Sequence, residues 1–203
     1  FQHNKDTDWA GYINLAYDTR FGDKLDALWK VGAQYRRKER SNRYYSYVFN
    51  PADISQQLDG NGYEQFANVD WVCKTPYSQA SQLNYDSKEH IGGAYAMATL
   101  SSALGELNVG LRAEHTNQIY TMLQHFRNMG QVGEQSYWDY LPSASVKWTP
   151  TKKMNVRLSY YRSINRPGFY EIVPYQIQGE EYQEKGNPEL KRARIDNIDL
   201  RWE

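Results

Sequence analysis

Three things are scarce or missing in this 203-residue sequence, and each excludes a class of protein. The chain has one cysteine, Cys73, so it cannot form an internal disulfide. It has no apolar run near the ~18 residues of a membrane-spanning helix, which excludes helical spans. Basic and acidic residues number 24 each, so net charge does not favour nucleic-acid binding.

Histidine is also scarce, and none of the four has the partners that a metal or catalytic site needs. No pair shows the i, i+4 helical spacing or the cysteine partners of a zinc site. Serine and aspartate are plentiful, but no motif links them to a histidine as in a Ser-His-Asp hydrolase. The sequence therefore predicts no enzyme, no metal and no cofactor. A barrel enzyme that hydrolyses lipid esters through His115 is the enzymatic alternative.

Neither end of the sequence has the features of a natural terminus. The chain starts at Phe1, without an initiating methionine or the apolar region of a signal peptide. The last residues, 200–203, continue a strand pattern without a closing turn. We therefore expect a piece of a longer protein.

The connections between strand-like segments alternate between short and long. Short turns are expected at 21–24, 103–106 and 149–152, and long connections at about 50–87, 125–136 and 166–188. An up-and-down antiparallel sheet would place all the tight turns at one end and all the long loops at the other. Outer-membrane β-barrels have this asymmetry, with short periplasmic turns and long extracellular loops.

Seven segments alternate between apolar and polar residues, as strands do. In the clearest one, 25–35, six apolar residues recur at every second position, which one helix face cannot provide. This strand is expected to continue to Phe49, about twice the ~9–11 residues that cross hydrocarbon. In the third segment, 88–100, the small residues 92, 94, 96 and 98 share one face, which is expected to face a crowded interior. In the seventh, a change of phase predicts a bulge near Asp196.

Aromatic residues support a membrane setting for this sheet. Trp29, Trp148 and Trp202 lie near predicted short turns or the chain end, and Tyr140 is about a strand length from Trp148. Aromatics at both ends of an apolar band suit a membrane with two interfaces. The mean hydropathy of −0.86 is compatible with a barrel, because only alternate strand residues face lipid. A soluble β-barrel or sandwich that binds ligands also alternates in this way and is the structural alternative.

Three stretches resemble a known family. Residues 163–175 read SINRPGFYEIVPY, residues 186–191 read GNPELK, and residues 140–148 form the strand before them. They are similar to the barrel domain of TonB-dependent outer-membrane receptors, in which an Arg-Pro strand exit precedes a loop and a Gly-Asn-Pro-Xaa-Leu re-entry. The specific resemblance covers about 140–203, and the rest of the chain agrees only in pattern.

The resemblance implies an all-β, antiparallel, up-and-down transmembrane barrel of about 22 strands, with a plug domain in its lumen. Residues 1–203 would be a partial barrel domain of about seven strands, without the plug. The implied function is import of a large scarce nutrient, such as a siderophore, cobalamin or a glycan, across the outer membrane of a Gram-negative bacterium. The implied partners are outer-membrane lipid and lipopolysaccharide, the imported ligand, and a TonB-type energy-coupling protein acting through the missing plug.

Candidate contact residues follow from the predicted faces and loops. The ligand-binding candidates, in the lumen or in loops, are Arg112, Glu114, Arg157, Tyr63 and Trp71. The candidates for lipopolysaccharide contact are Arg36, Lys38, Arg40 and Arg43, because cations followed by tyrosines suit an anionic headgroup zone. A solvated strand extension is the alternative for this basic run. Gly186 and Pro188 are expected to be structural, with Gly186 at a positive φ.

Overall fold

The computed structural model of the chain describes residues 2–45, 47–53, 69–75, 83–123, 130–151, 153–178 and 181–203. Its elements in these ranges are β1 (Gln2–Phe21), β2 (Leu25–Tyr44), β3 (Val48–Pro51), β4 (Trp71–Thr75), β5 (Tyr85–Ser102), β6 (Gly105–Met122), β7 (Val132–Thr151), β8 (Met154–Asn165), α1 (Phe169–Ile172), β9 (Gln176–Gln178), β10 (Gln183–Lys185) and β11 (Ala193–Trp202). No helix among the described residues is long and apolar enough to cross a membrane.

Seven of these strands form one antiparallel sheet in the order β1-β2-β5-β6-β7-β8-β11. The small pairs β3–β4 and β9–β10 lie in the long connections. The turns after β1, β5 and β7 are tight, and Gly22 and Gly105 provide the positive φ angles of 64° and 147° at the first two. The predicted up-and-down sheet with short and long ends is therefore confirmed.

The two faces of the sheet differ in chemistry. Residues paired across an antiparallel ladder share a face, so the register defines both faces completely. One face, called here the apolar face, carries Leu111, Val146 and Leu158, which are 51%, 42% and 49% exposed. The opposite face, called the covered face, carries the buried polar residues Glu114 and Asp139. Apolar side chains are thus exposed and polar ones buried, the reverse of a soluble sheet protein.

Aromatic side chains lie at both ends of the apolar face. Trp148 lies beside the short turns, and Trp138 and Tyr140 lie toward the long connections, all more than half exposed. Ten residues separate Trp148 from Trp138, about 33 Å along the strand. At a tilt of about 40° this spans about 25 Å, the height of the apolar band of an outer-membrane barrel.

The face assigned to the small residues of β5 was wrong. Ala96 pairs with Val31 on β2 and with Leu111 on β6, so the small residues 92, 94, 96 and 98 lie on the apolar face. Ile91 and Tyr95 lie on the covered face instead. Alternation separates the two faces of a strand but does not show which one faces outward. Between His90 and Leu100, β5 has only small residues on the face that its neighbours turn outward.

Two expectations about strand regularity were also wrong. β2 ends at Tyr44, and Phe49 belongs to the separate β3–β4 pair. β11 pairs with β8 without a register shift, so no bulge occurs near Asp196. Asp196 lies on the apolar face, where it accepts hydrogen bonds of 2.8 Å from Tyr160 and Arg162. Because these partners satisfy its carboxylate there, no bulge is needed to turn the side chain to the other face.

Pro142 lies within β7, which continues unbroken to Thr151. The pairing of β7 with β8 begins only at Ser143, opposite Tyr161, so Pro142 sits where β7 loses its ladder to β8. Proline, which cannot donate a backbone hydrogen bond, is tolerated at such a position.

Candidate functional site on the covered face

The connection between β8 and β11 folds back onto the covered face. This connection, called here the inner segment, comprises residues 166–178 and 181–192. Its apolar residues Phe169, Ile172 and Val173 form a buried cluster with side chains of the sheet, namely Tyr85, Tyr120 and Met122. The hydrophobic core of the described chain therefore lies between the inner segment and β5–β6.

The start of the inner segment is fastened to β6. The Arg166 guanidinium donates a 3.0 Å hydrogen bond to Thr116 and forms an ion pair with Glu114, which also accepts from Arg112. Gln118, buried on the same face, donates a 3.2 Å hydrogen bond to the Pro167 carbonyl. These contacts satisfy polar groups that burial would otherwise leave unpaired.

The end of the inner segment is fastened to β7. Arg192 and Arg194 each donate a 3.0 Å hydrogen bond to Asp139, which is only 1% exposed. Gln135 donates to the Leu190 carbonyl at 3.2 Å. Asp139 lies directly opposite Glu114 in the β6–β7 register, so both ends of the segment are held by neighbouring carboxylates.

The middle of the inner segment is held by its own contacts. The hydroxyls of Tyr170 and Tyr175 both donate 2.7 Å hydrogen bonds to Glu184, and their rings lie 4.5 Å apart. These two hydrogen bonds lower the pKa of the Glu184 carboxyl. Burial raises the pKa of Tyr175, and its contacts with Tyr170 and Glu184 raise it further.

Gly186 has a different role from the one expected. The φ angle of Gly186 is not positive, so its backbone conformation does not require glycine. The Val173 carbonyl oxygen instead lies 1.9 Å from the point where a Cβ would stand. The backbone of residue 186 passes directly against residue 173, and its N–H donates to the Tyr175 carbonyl at 3.1 Å.

We expect Gly186→Ala to loosen the inner segment, because the added methyl group would collide with the Val173 backbone. The measurement is limited proteolysis of the folded protein in detergent micelles, with cleavage sites identified by mass spectrometry. Gly168→Ala is the matched control in the same segment, because its Cβ would meet nothing closer than 3.5 Å. Equal protease resistance of the two variants would contradict this role of Gly186.

A cavity of about 300 Å³ lies between β2, β5 and the start of the inner segment. Its charged lining residues are Arg36, Lys38, Glu89 and Arg166. The Phe169 ring forms part of its wall, and the cationic groups of Lys38 and Arg40 each lie 5.9 Å from the centre of that ring. This cavity is a concave, charged site on the covered face.

Comparison with known proteins identifies the family. Residues 2–203 match the outer membrane protein beta-barrel family. The chain belongs to this family. Its apolar face therefore contacts the lipid of the outer membrane and its covered face lines the barrel lumen. Membership rules out the soluble alternative and agrees with the prediction that the protein is not an enzyme.

A solved structure shows the same fold. The siderophore receptor PiuA from Acinetobacter baumannii matches 81% of this chain with a TM-score of 0.55 and 12% sequence identity. The match covers 24% of the receptor chain, so this outer-membrane barrel chain spans about a quarter of that receptor's length. Among the curated proteins, no relative matches the chain.

The barrel brings together only some of the predicted ligand-binding residues. Arg112 and Glu114 meet on the luminal face under the inner segment. Arg157 lies far from them toward the short-turn end, exposed and 3.7 Å from Glu203. Trp71 lies on β4, in the long connection after β2, and Tyr63 falls outside the described residues.

The four predicted lipopolysaccharide contacts lie on two different faces of the sheet. Arg36, Lys38 and Arg40 point into the lumen, where Arg36 pairs with Asp8 and the other two approach Phe169. Their contact with lipopolysaccharide stays a prediction. Arg43 alone of the four lies on the apolar side of the sheet, where it pairs with Asp86 at 2.8 Å. The basic run spans both faces because consecutive strand residues point in opposite directions.

Several residues that shape this site were not among the sequence candidates. They are Thr116, Gln118, Gln135, Asp139 and Arg192. Thr116 and Gln118 continue the polar alternation that contains Arg112 and Glu114, and this signal could have identified them. Asp139 and Arg192 are 53 positions apart, and nothing local connects them. Among the described residues, no group of three His, Cys, Asp or Glu side chains could hold a metal ion.

Proposed function

We propose that this chain is part of the barrel of a TonB-dependent transporter that imports a large scarce nutrient, such as a siderophore, cobalamin or a glycan. The carrying observation is the inner segment, which is fastened over the luminal face by buried ion pairs at both ends. A barrel for passive diffusion needs an open water-filled lumen, whereas transporters of large cargo have an occupied one. The fold shared with a siderophore receptor supports the same proposal.

The proposal also covers the rest of the barrel, the plug and the loops. A barrel of about 22 strands would contain these seven as roughly a third of its wall. A plug in the lumen would pass energy from a TonB-type protein to the ligand site. Trp71, 39% exposed in the long connection, and Tyr63 are proposed as ligand contacts of the loops. Arg112 and Glu114 would act by positioning the inner segment.

Uptake in the bacterium that makes the protein tests this function. Cells lacking the gene should lose accumulation of one labelled cargo class among ferric siderophores, cobalamin and oligosaccharides, and the intact gene should restore it. A protonophore should abolish the restored uptake, because import depends on energy from the inner membrane. Uptake that continues unchanged in de-energised cells would identify a passive channel and overturn the proposal.

A further inference from the structure

We infer that the luminal cavity between β2, β5 and the inner segment binds an anionic group, a carboxylate or a phosphate, of the ligand. The inference rests on the proposed function, which supplies a ligand that enters the lumen. A volume of about 300 Å³ lies at the lower limit of small-molecule pockets. It therefore fits one charged substituent of a large nutrient rather than the whole molecule.

The balance of charge in the cavity lining favours an anion. Three cationic side chains, Arg36, Lys38 and Arg166, line the cavity with one carboxylate, Glu89. Carboxylates outside the cavity reduce this excess, among them Glu171, which accepts a 2.7 Å hydrogen bond from the N–H of the lining residue Gly168. Arg36 is paired with Asp8, and Arg166 shares the single carboxylate of Glu114 with a second arginine. Lys38 is left over.

Lys38 is the principal contact in this site. In the described part of the chain its ammonium group forms no ion pair, and the nearby Asp6 and Asp8 are paired with Arg40 and Arg36 instead. Its observed neighbour is the face of the Phe169 ring, 5.9 Å from Nζ to the ring centre. Because Phe169 is buried, this contact holds the ammonium at the cavity wall with its N–H donors available.

Arg166 can contribute further donors. A guanidinium carries five N–H groups. The observed bonds are from Nε to Thr116 and from one terminal nitrogen to Glu114. The buried Thr116 and Glu114 fix the plane of the group, so its remaining N–H groups are preorganised for an anion.

Glu89 opposes anion binding and provides a test of opposite sign. It lies directly across from Lys38 in the β2–β5 register and accepts a 2.8 Å hydrogen bond from Gln118. Its negative charge should repel an anion in the cavity, so its neutralisation should strengthen binding. A merely structural role for these residues would not produce opposite effects at Lys38 and Glu89.

The experiment is titration of the intact outer-membrane protein in detergent micelles with citrate and, separately, with pyrophosphate, followed by calorimetry. Lys38→Gln should weaken binding of the preferred anion at least about tenfold, and Glu89→Gln should tighten it. Preference for citrate would assign the site to carboxylates, and preference for pyrophosphate to phosphates. Lys30→Gln is the matched control, because Lys30 shares the strand and face of Lys38 but does not line the cavity.

Three outcomes would overturn the inference: no binding of either anion to the native protein, equal affinity of Lys38→Gln and Lys30→Gln, or weaker binding in Glu89→Gln. Gel mobility of unheated samples verifies that each variant is folded. Binding to purified protein is independent of energy coupling, so a failed uptake assay and a failed titration are distinguishable.

Discussion

We expect Leu111→Arg to lower the free energy of unfolding by about 2–4 kcal/mol, because it places a charge near the middle of the lipid-facing band. Leu111 lies on the apolar face, half exposed, and its ladder pair is six residues along β6 from the pair of Trp148. Val146→Arg, one row from Trp148, should cost less, because the penalty falls toward the membrane interface. The measurement is denaturant unfolding in phospholipid bilayers.

Ser145→Arg is the matched control for these substitutions. Ser145 is next to Val146 but lies on the luminal face, opposite Asn108, where an arginine can remain hydrated. A small effect is expected there. If arginine were tolerated equally at positions 111 and 145, the assignment of the lipid-facing side would be wrong.

Removing both arginines that hold Asp139 should destabilise the protein by about 3–5 kcal/mol. In the double variant Arg192→Met/Arg194→Met, the carboxylate stays buried without a counter-charge. Each single substitution should cost clearly less than half of this, because the remaining arginine still pairs with Asp139. Denaturant unfolding in bilayers measures the loss, and proteolysis shows whether the inner segment detaches.

A rescue variant and a surface control sharpen this test. Adding Asp139→Asn to the double variant should restore most of the lost stability, because the unpaired buried charge is then gone. Arg20→Gln removes a partner from the exposed pair with Asp26 and should cost no more than about 1 kcal/mol. Additive effects of the two arginines and no rescue would show that Asp139 does not act as a shared anchor.

Local sequence patterns were sufficient for much of the fold. Period-two alternation and short turns such as 21–24 depend on neighbouring residues, so the seven strands, their order and the short and long ends could be predicted. Trp148 beside a turn indicated the membrane interface in the same way. The faces of β5 could not be assigned, because their labels depend on which residues of β2 and β6 pair with Ala96.

The candidate site was less predictable than the fold. Glu114 was identified from the polar face of its strand, but its partner Arg166 is 52 positions away. Gly186 was expected to be structural through a positive φ, whereas the structure shows close backbone contact with Val173. The basic residues of β2 were expected to contact lipopolysaccharide, whereas Arg36, Lys38 and Arg40 lie on the luminal face.

By itself, the sequence determined a membrane sheet: its strands, its turns, its aromatic borders and the two chemically different faces all follow from interactions between residues close in the chain. Only the tertiary structure decided that the connection after β8 lies against the luminal face and that Glu114 and Asp139 hold its two ends. The physical reason is that these contacts join residues about 50 positions apart, and their geometry exists only after the strands have paired in register.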